Sequence, residues 1–140
     1  MANPSSATPD NGAVVELSLE ECYRLLGRDG VGRIALCTDD GPMIIPVNYL
    51  IDNESVIVRT APYSLLGEHA NKDMAFEVDS LHHEDRQGWS VVLVGKSERI
   101  EDIEQMTELR ASGRLEPWAA GNRHLFIRLT PRRVTGRRVS

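Results

Sequence analysis

Residues Val31 to Thr60 read VGRIALCTDDGPMIIPVNYLIDNESVIVRT. Three runs rich in Val, Ile and Leu alternate with two short clusters of turn formers. Val31 to Thr38 has the composition of a strand, Asp39-Asp40-Gly41 of a tight turn, and Met43 to Leu50 of a second strand. Asp52-Asn53 then turns the chain into a third strand, Ser55 to Thr60. The stretch is a β-meander. Pro46 lacks a ladder donor, so its strand must lie at an edge, at a bulge, or beside something other than a strand.

Upstream, Ser18 with Glu21 three residues on forms a capping-box signature, which predicts a short helix from Leu19 to about Gly27 with Cys22, Leu25 and Leu26 on its buried face. Downstream, Pro62 stops the third strand, and Ser64 is placed to cap a short helix through Leu65, Leu66 and His69. Met74 to Val78 and Ser90 to Gly95 read as strands four and five, the latter with room to run on to Ile100, around a polar loop from Asp79 to Gly88. Asp102 and Gln105 open a helix through Ile103, Met106 and Leu109 that Gly113 ends. Arg114 to Arg123 is irregular, and His124 to Leu129 is strand six, with Val134 to Val139 as an extension after Pro131. Mainly β structure with short helices follows. Six antiparallel strands leave no bare edge if they close into a barrel.

The chain has 140 residues, 41% of them hydrophobic and 26% charged, which suits one domain. Met1 to Gly12, rich in Pro, Ser, Asn and Ala, is expected to be a disordered tail outside a single domain of residues 13–140. The core must be aliphatic, because only 2 Trp, 3 Tyr and 2 Phe are present. A net charge of −5 argues against a nucleic-acid partner. Arg132, Arg133, Arg137 and Arg138 are a local exception, read as a solvated strand edge or as a grip for an anionic group. Cys22 and Cys37 have no metal or redox spacing. No apolar run is long enough to span a membrane. A cytoplasmic protein is the expectation.

The chemistry concentrates in Val56-Ile57-Val58-Arg59-Thr60-Ala61-Pro62-Tyr63-Ser64. A buried strand here delivers a guanidinium and hydroxyls to its end and then turns into a helix start, a combination that suits a phosphate. The same residues also suit an ordinary surface ion pair. His82-His83-Glu84-Asp85 lacks metal-site spacing and reads as a solvated loop; His69 and His124 are isolated.

Several pieces together resemble the actinobacterial branch of the pyridoxamine 5′-phosphate oxidase-like, FMN-binding split-barrel family. They are Gly32-Arg33-Ile34-Ala35, Pro42, Pro46-Val47-Asn48-Tyr49, Val58-Arg59-Thr60, Phe76-Glu77-Val78-Asp79, Gly88-Trp89-Ser90-Val91-Val92, and Gly95 before a charged stretch. They cover roughly residues 17–103 in order, with weaker similarity from Arg128 to Arg138. The resemblance implies a six-stranded antiparallel split β-barrel in a homodimer. It implies FMN, or alternatively a deazaflavin coenzyme or haem, with hydride transfer through the flavin to a small-molecule substrate.

It also assigns a candidate cofactor site. Pro46, Val47, Asn48 and Tyr49 would run along the flavin ring. Arg59, Thr60, Ala61, Ser64 and Leu65 would lie at the ribityl chain and phosphate, and Trp89 and Ser90 would reach the ring or ribityl chain, commonly from across the dimer. Tyr49 and Trp89 are placed to contact a substrate; Trp89 suits a core or dimer contact equally well. Many members carry Lys or Arg where this chain has Leu65, and the lost charge-assisted hydrogen bond is worth about 1.5–3 kcal/mol. A non-catalytic cofactor carrier is the alternative.

Overall fold

The computed structural model describes residues 13–116 and 124–140. The expected N-terminal tail and the latter part of the irregular Arg114 to Arg123 segment lie outside them. The elements in chain order are β1 (Val14–Glu16), α1 (Leu19–Leu26), β2 (Asp29–Thr38), β3 (Gly41–Asp52), β4 (Ser55–Thr60), α2 (Leu65–Glu68), β5 (Asp73–His82), β6 (Gln87–Arg99), α3 (Ile103–Ser112) and β7 (Leu125–Val139). Among the described residues no helix is long and apolar enough to cross a membrane.

All pairings are antiparallel. The sheet runs β1-β7-β4-β3-β2-β5-β6 and closes through a second pairing of β7 with β6. Six strands therefore form the ring, as the meander predicted, while β1 adds to the free side of β7 beyond β4. β1 is three exposed residues whose only partner is the far end of the chain, so no local pattern announces it.

One expectation needs correction and one is extended. Asp79 to Gly88 is mostly hairpin rather than loop: β5 runs to His82, β6 starts at Gln87, and only residues 83–86 turn. Its polar residues mimic a loop because this end of the hairpin is exposed. The extension of the last strand after Pro131 is present and unbroken, since β7 passes through it on a bulge between Val94 and Gly95 of β6, with Arg132 the extra residue. Gly95 permits this, because a Cβ there would lie 2.0 Å from the Thr130 carbonyl oxygen.

The capping residues are as expected, but the bonds differ in two places: Asp102 accepts the Glu104 N–H at 3.1 Å rather than that of Gln105, and the Ser18 box is half-formed. Ser18 accepts the Glu21 N–H at 3.1 Å, but the Glu21 carboxylate pairs with Arg24 and Arg138 instead of reaching back. α1 lays Cys22 and Leu26 into the barrel, Cys22 against Gly136, where any Cβ would come within 2.6 Å of the sulfur. The barrel interior holds Ile34, Val56, Val58, Phe76, Val91, Leu93 and Ile127, each at most 1% exposed. A smaller cluster lies outside the barrel wall, where Leu50, Ile57 and Phe126 meet Ile100, Leu115 and the α3 residues Met106 and Leu109. β4 is thus covered on both faces, which explains its unbroken apolar run.

Candidate functional site

The site begins where β3 and β4 part. They pair only from Tyr49↔Val58 to Asp52↔Ser55, whereas β3 pairs with β2 from Gly41 to Leu50. Among the described residues no strand therefore lies beside one edge of β3 from Gly41 to Asn48, and β4 continues against β7 through Arg59↔Phe126 and Thr60↔Leu125. Pro46 lies on that edge, the first of the three environments its missing donor allowed.

The polarity of the edge follows from the ladder. The Ile51 N–H donates to the Arg28 carbonyl, so odd residues of β3 bond towards β2 and even residues point their backbone the other way. The open edge accordingly offers N–H groups at Ile44 and Asn48 and carbonyls at Pro42, Ile44, Pro46 and Asn48. Both prolines fall on even positions, so neither costs a β2–β3 hydrogen bond. They also blunt the edge against pairing with another chain.

At the end of β4 the candidate residues diverge. Thr60 shares the inward face of Val58, is 5% exposed, and its hydroxyl lies 2.7 Å from that of Ser64. Ser64 also donates to the Ala61 carbonyl at 2.7 Å and accepts the Gly67 N–H at 3.1 Å. These bonds tie the strand end, the turn and α2 into one unit, which Gly67 tightens by lying against the Ala61 and Pro62 carbonyls. Ala61 is buried and Leu65 half-buried. Arg59 leaves the opposite face: its guanidinium sits 5.2 Å over the Phe126 ring and donates to the Leu115 carbonyl at 3.2 Å. The structure thus brings Thr60, Ala61 and Ser64 together and sends Arg59 behind them.

On β3, Pro46 and Asn48 face outward and Val47 faces the core. Tyr49 is corrected as a substrate contact. It is 2% exposed, donates its hydroxyl to the Leu26 carbonyl at 2.6 Å and meets Phe76 edge-on at 4.9 Å. Burial pushes its phenol pKa above the ordinary value. Trp89 faces inward against the core, and its neighbour Ser90 faces outward. Their partners on β7, Arg138 and Arg137, are at least eleven residues beyond Phe126, the partner of Arg59. That is on the order of 35 Å of strand. Measured along β7, Trp89 and Ser90 are thus far from the β4 end, whereas round the other side of the ring Ser90 falls level, through Asp79 and Val31, with Asn48 of β3.

An ionisable cluster on the outer face was not anticipated. Arg33 and Glu77 are register partners, with Arg33 Nη1 3.1 Å from Glu77 Oε1 and 3.6 Å from Asp79 Oδ2. Burial, then the hydrogen bond and charge of Asp79, push the Glu77 carboxyl up to about 7 against the opposing pull of Arg33. Strand alternation puts Arg33, Glu77 and Asp79 on the face away from Ile34, Phe76 and Val78, and that signal could have found them. His82 and His83 belong to the β5–β6 hairpin tip, which borders a shallow depression of about 370 Å³ lined by Leu81, Arg86 and Val139 but by no candidate site residue. Among the described residues no three His, Cys, Asp or Glu side chains are placed to hold a metal.

A closed antiparallel ring opened at one strand pair, with a hydroxyl-lined turn beside the gap, defines a split-barrel protein. Residues 18–138 match the family model described as pyridoxamine 5′-phosphate oxidase, and the chain belongs to that family. An uncharacterized protein of Mycobacterium tuberculosis is 35% identical over 144 residues, covering 99% of this chain and 91% of its own. An FAD-binding protein from Mycobacterium smegmatis superposes with a TM-score of 0.73 at 31% identity, covering 89% of this chain and 97% of that one. An FAD-binding protein from Mesorhizobium loti gives 0.75 at 27% identity, covering 93% and 99%.

Proposed function

We propose that this chain is a flavin-dependent oxidoreductase-like protein that holds its cofactor, FMN or a close relative, along the open edge of β3 and works as a homodimer. The observation that carries this is the parting of β3 and β4 after Tyr49 and Val58. A strand edge with alternating backbone donors and acceptors suits the polar rim of an isoalloxazine, whose oxygens accept and whose ring N–H donates. The residues fit the ring better than the phosphate, for which Thr60 and Ser64 offer only neutral hydroxyls.

A bound flavin supplies hydride transfer at its ring. The chain's own residues bind and orient. Pro46 keeps the edge free of a competing strand, Val47 and Tyr49 anchor it to the core, and the Thr60–Ser64 hydrogen bond fixes the turn at the ribityl end. Arg59 braces that wall from behind through Phe126 and Leu115. Ser90, on the outward face of β6, reaches the flavin from the second copy, and Trp89 backs that strand from the core side. The substrate is a small molecule stacked on the exposed ring face.

The absence of a cationic group at Leu65 supports a second reading, in which the same pocket carries a flavin, deazaflavin or haem without turnover. The family relatives described as FAD-binding add FAD to the candidates. The purified protein should show flavin absorption, or gain it on titration with FMN or FAD. Tight binding of the deazaflavin coenzyme or haem instead would favour the carrier reading, and no binding of any of the four would overturn both.

A further inference from the structure

Arg33 is the register partner of Pro46, so it stands one strand, about 4.8 Å, from the open edge of β3. Both face away from the core, as do the residues around them: Ala35 is level with Ile44, and Val31 with Asn48. Val31 is 53% and Ile44 69% exposed. A guanidinium thus rises from an apolar bed beside the edge proposed to hold the flavin.

That guanidinium is held from one side only. Its Nη1 takes both carboxylates, Glu77 Oε1 at 3.1 Å and Asp79 Oδ2 at 3.6 Å, and both belong to β5, on the side of β2 away from β3. Its Nε and Nη2 have no partner among the described residues, and the side chain is 54% exposed. Such a pair of N–H groups is a fork of the kind with which arginine takes a carboxylate through two parallel hydrogen bonds. A carboxylate suits this place better than a phosphate. The phosphate carries more charge into the repulsion of Glu77 and Asp79, and its strong hydration gains nothing from Val31, Ala35, Ile44 and Pro46.

We propose that Arg33 recognises an organic carboxylate whose apolar body lies over Pro46 towards the flavin. The proposal rests on the flavin reading above and gives the substrate a chemical class, a small apolar monocarboxylate. Glu77 and Asp79 are positioning residues: they occupy Nη1 and leave the fork to the ligand.

Proton linkage follows from the same contacts. Facing Glu77 are Arg33 on β2, Asp79 on its own strand and the uncharged Val92 on β6, with Arg133 and Arg137 beyond it on β7. From Pro42 to Asn48 β3 has no charged residue. Burial and then Asp79 raise the Glu77 carboxyl to about 7 against the pull of Arg33. A carboxylate bound at Arg33 adds negative charge beside it and raises it further. The complex therefore holds more protons than the free site, and affinity rises as pH falls from 8 to 6, a range in which an ordinary carboxylate ligand stays ionised.

The test titrates the full chain, loaded with FMN or FAD, with benzoate and with its neutral analogue benzamide. The readouts are the absorption band of the bound flavin and the heat of binding. Benzoate should perturb the band and saturate, and benzamide should bind about tenfold more weakly or worse. Arg33→Gln should weaken benzoate binding about tenfold or more in a protein that still folds by circular dichroism and takes up flavin. Arg33→Lys, which retains the charge without the fork, should fall between. Wild type should bind benzoate about threefold or more tightly at pH 6 than at pH 8, and Glu77→Gln should abolish that dependence. Benzoate binding that survives Arg33→Gln, equal binding of benzamide, or no benzoate binding to the flavin-loaded protein overturns the proposal and leaves the flavin reading intact. A wild type that takes up neither FMN nor FAD overturns both.

Discussion

Tyr49 of β3 pairs with Val58 of β4, and past that pair the two strands separate. Tyr49 is held by both of its neighbours and by its hydroxyl bond to Leu26, so the parting begins at one of the best-anchored points of the barrel. The gap is thus a fixed feature of the fold.

Asn48 is the first residue whose backbone points into that gap. Asn48→Pro should remove an edge donor without touching the β2–β3 ladder, because Asn48 and Val31 form a non-hydrogen-bonded pair. Flavin affinity is expected to fall about fivefold to tenfold, the worth of one hydrogen bond, with the urea midpoint little changed. Equal affinity for both proteins would place the ring elsewhere.

Leu65 puts an uncharged side chain at the turn proposed to meet the phosphate. Leu65→Lys should tighten FMN binding about tenfold or more through one charge-assisted hydrogen bond. Riboflavin, which lacks the phosphate, serves as control. An equal gain for both ligands would remove the phosphate from this turn.

Arg59→Ala should act first on stability. The substitution loses the contact with Phe126 and the bond to Leu115, together about 1–2 kcal/mol. Chemical denaturation measures this, and flavin affinity should move less than twofold to threefold once the protein is folded. A large loss of FMN affinity with unchanged stability would return Arg59 to the phosphate.

Gly32 lies beneath the Phe76 ring, and a Cβ there would be 2.6 Å from the ring and 2.9 Å from the Glu77 carbonyl oxygen. Phe76 is fully buried and cannot swing aside. Gly32→Ala should cost about 1–3 kcal/mol by overpacking. A denaturation midpoint equal to wild type would contradict the close approach of β2 to β5.

Tyr23 gives a pH dependence. Its hydroxyl donates to the Glu54 carbonyl at 2.7 Å, and burial, followed by Glu54 and Cys22, pushes its phenol up to about 12. A raised value favours the protonated form in the fold. That contribution is complete below about pH 10, the unfolded value, and is lost as pH rises through 12. Partial exposure reduces it to about 1–2 kcal/mol. Tyr23→Phe should show a shallower loss of stability from pH 10 to 12 in urea titrations, and a loss as steep as wild type would count against it.

The sequence by itself determined the meander, because a period of two, two-residue turns and capping hydroxyls are local signals readable within a few residues. Pro46 limited its strand to an edge, a bulge or a non-strand neighbour. The same period puts Arg59 and Thr60 on opposite faces of β4, yet which face is core was legible only once α3, Leu115 and Phe126 covered one of them. Tertiary structure alone decided where β3 leaves β4, that β7 runs on through Pro131, and that Arg33 meets Glu77. These are pairings between residues distant in the chain, set by barrel closure and register, and no local pattern encodes the partner of a strand.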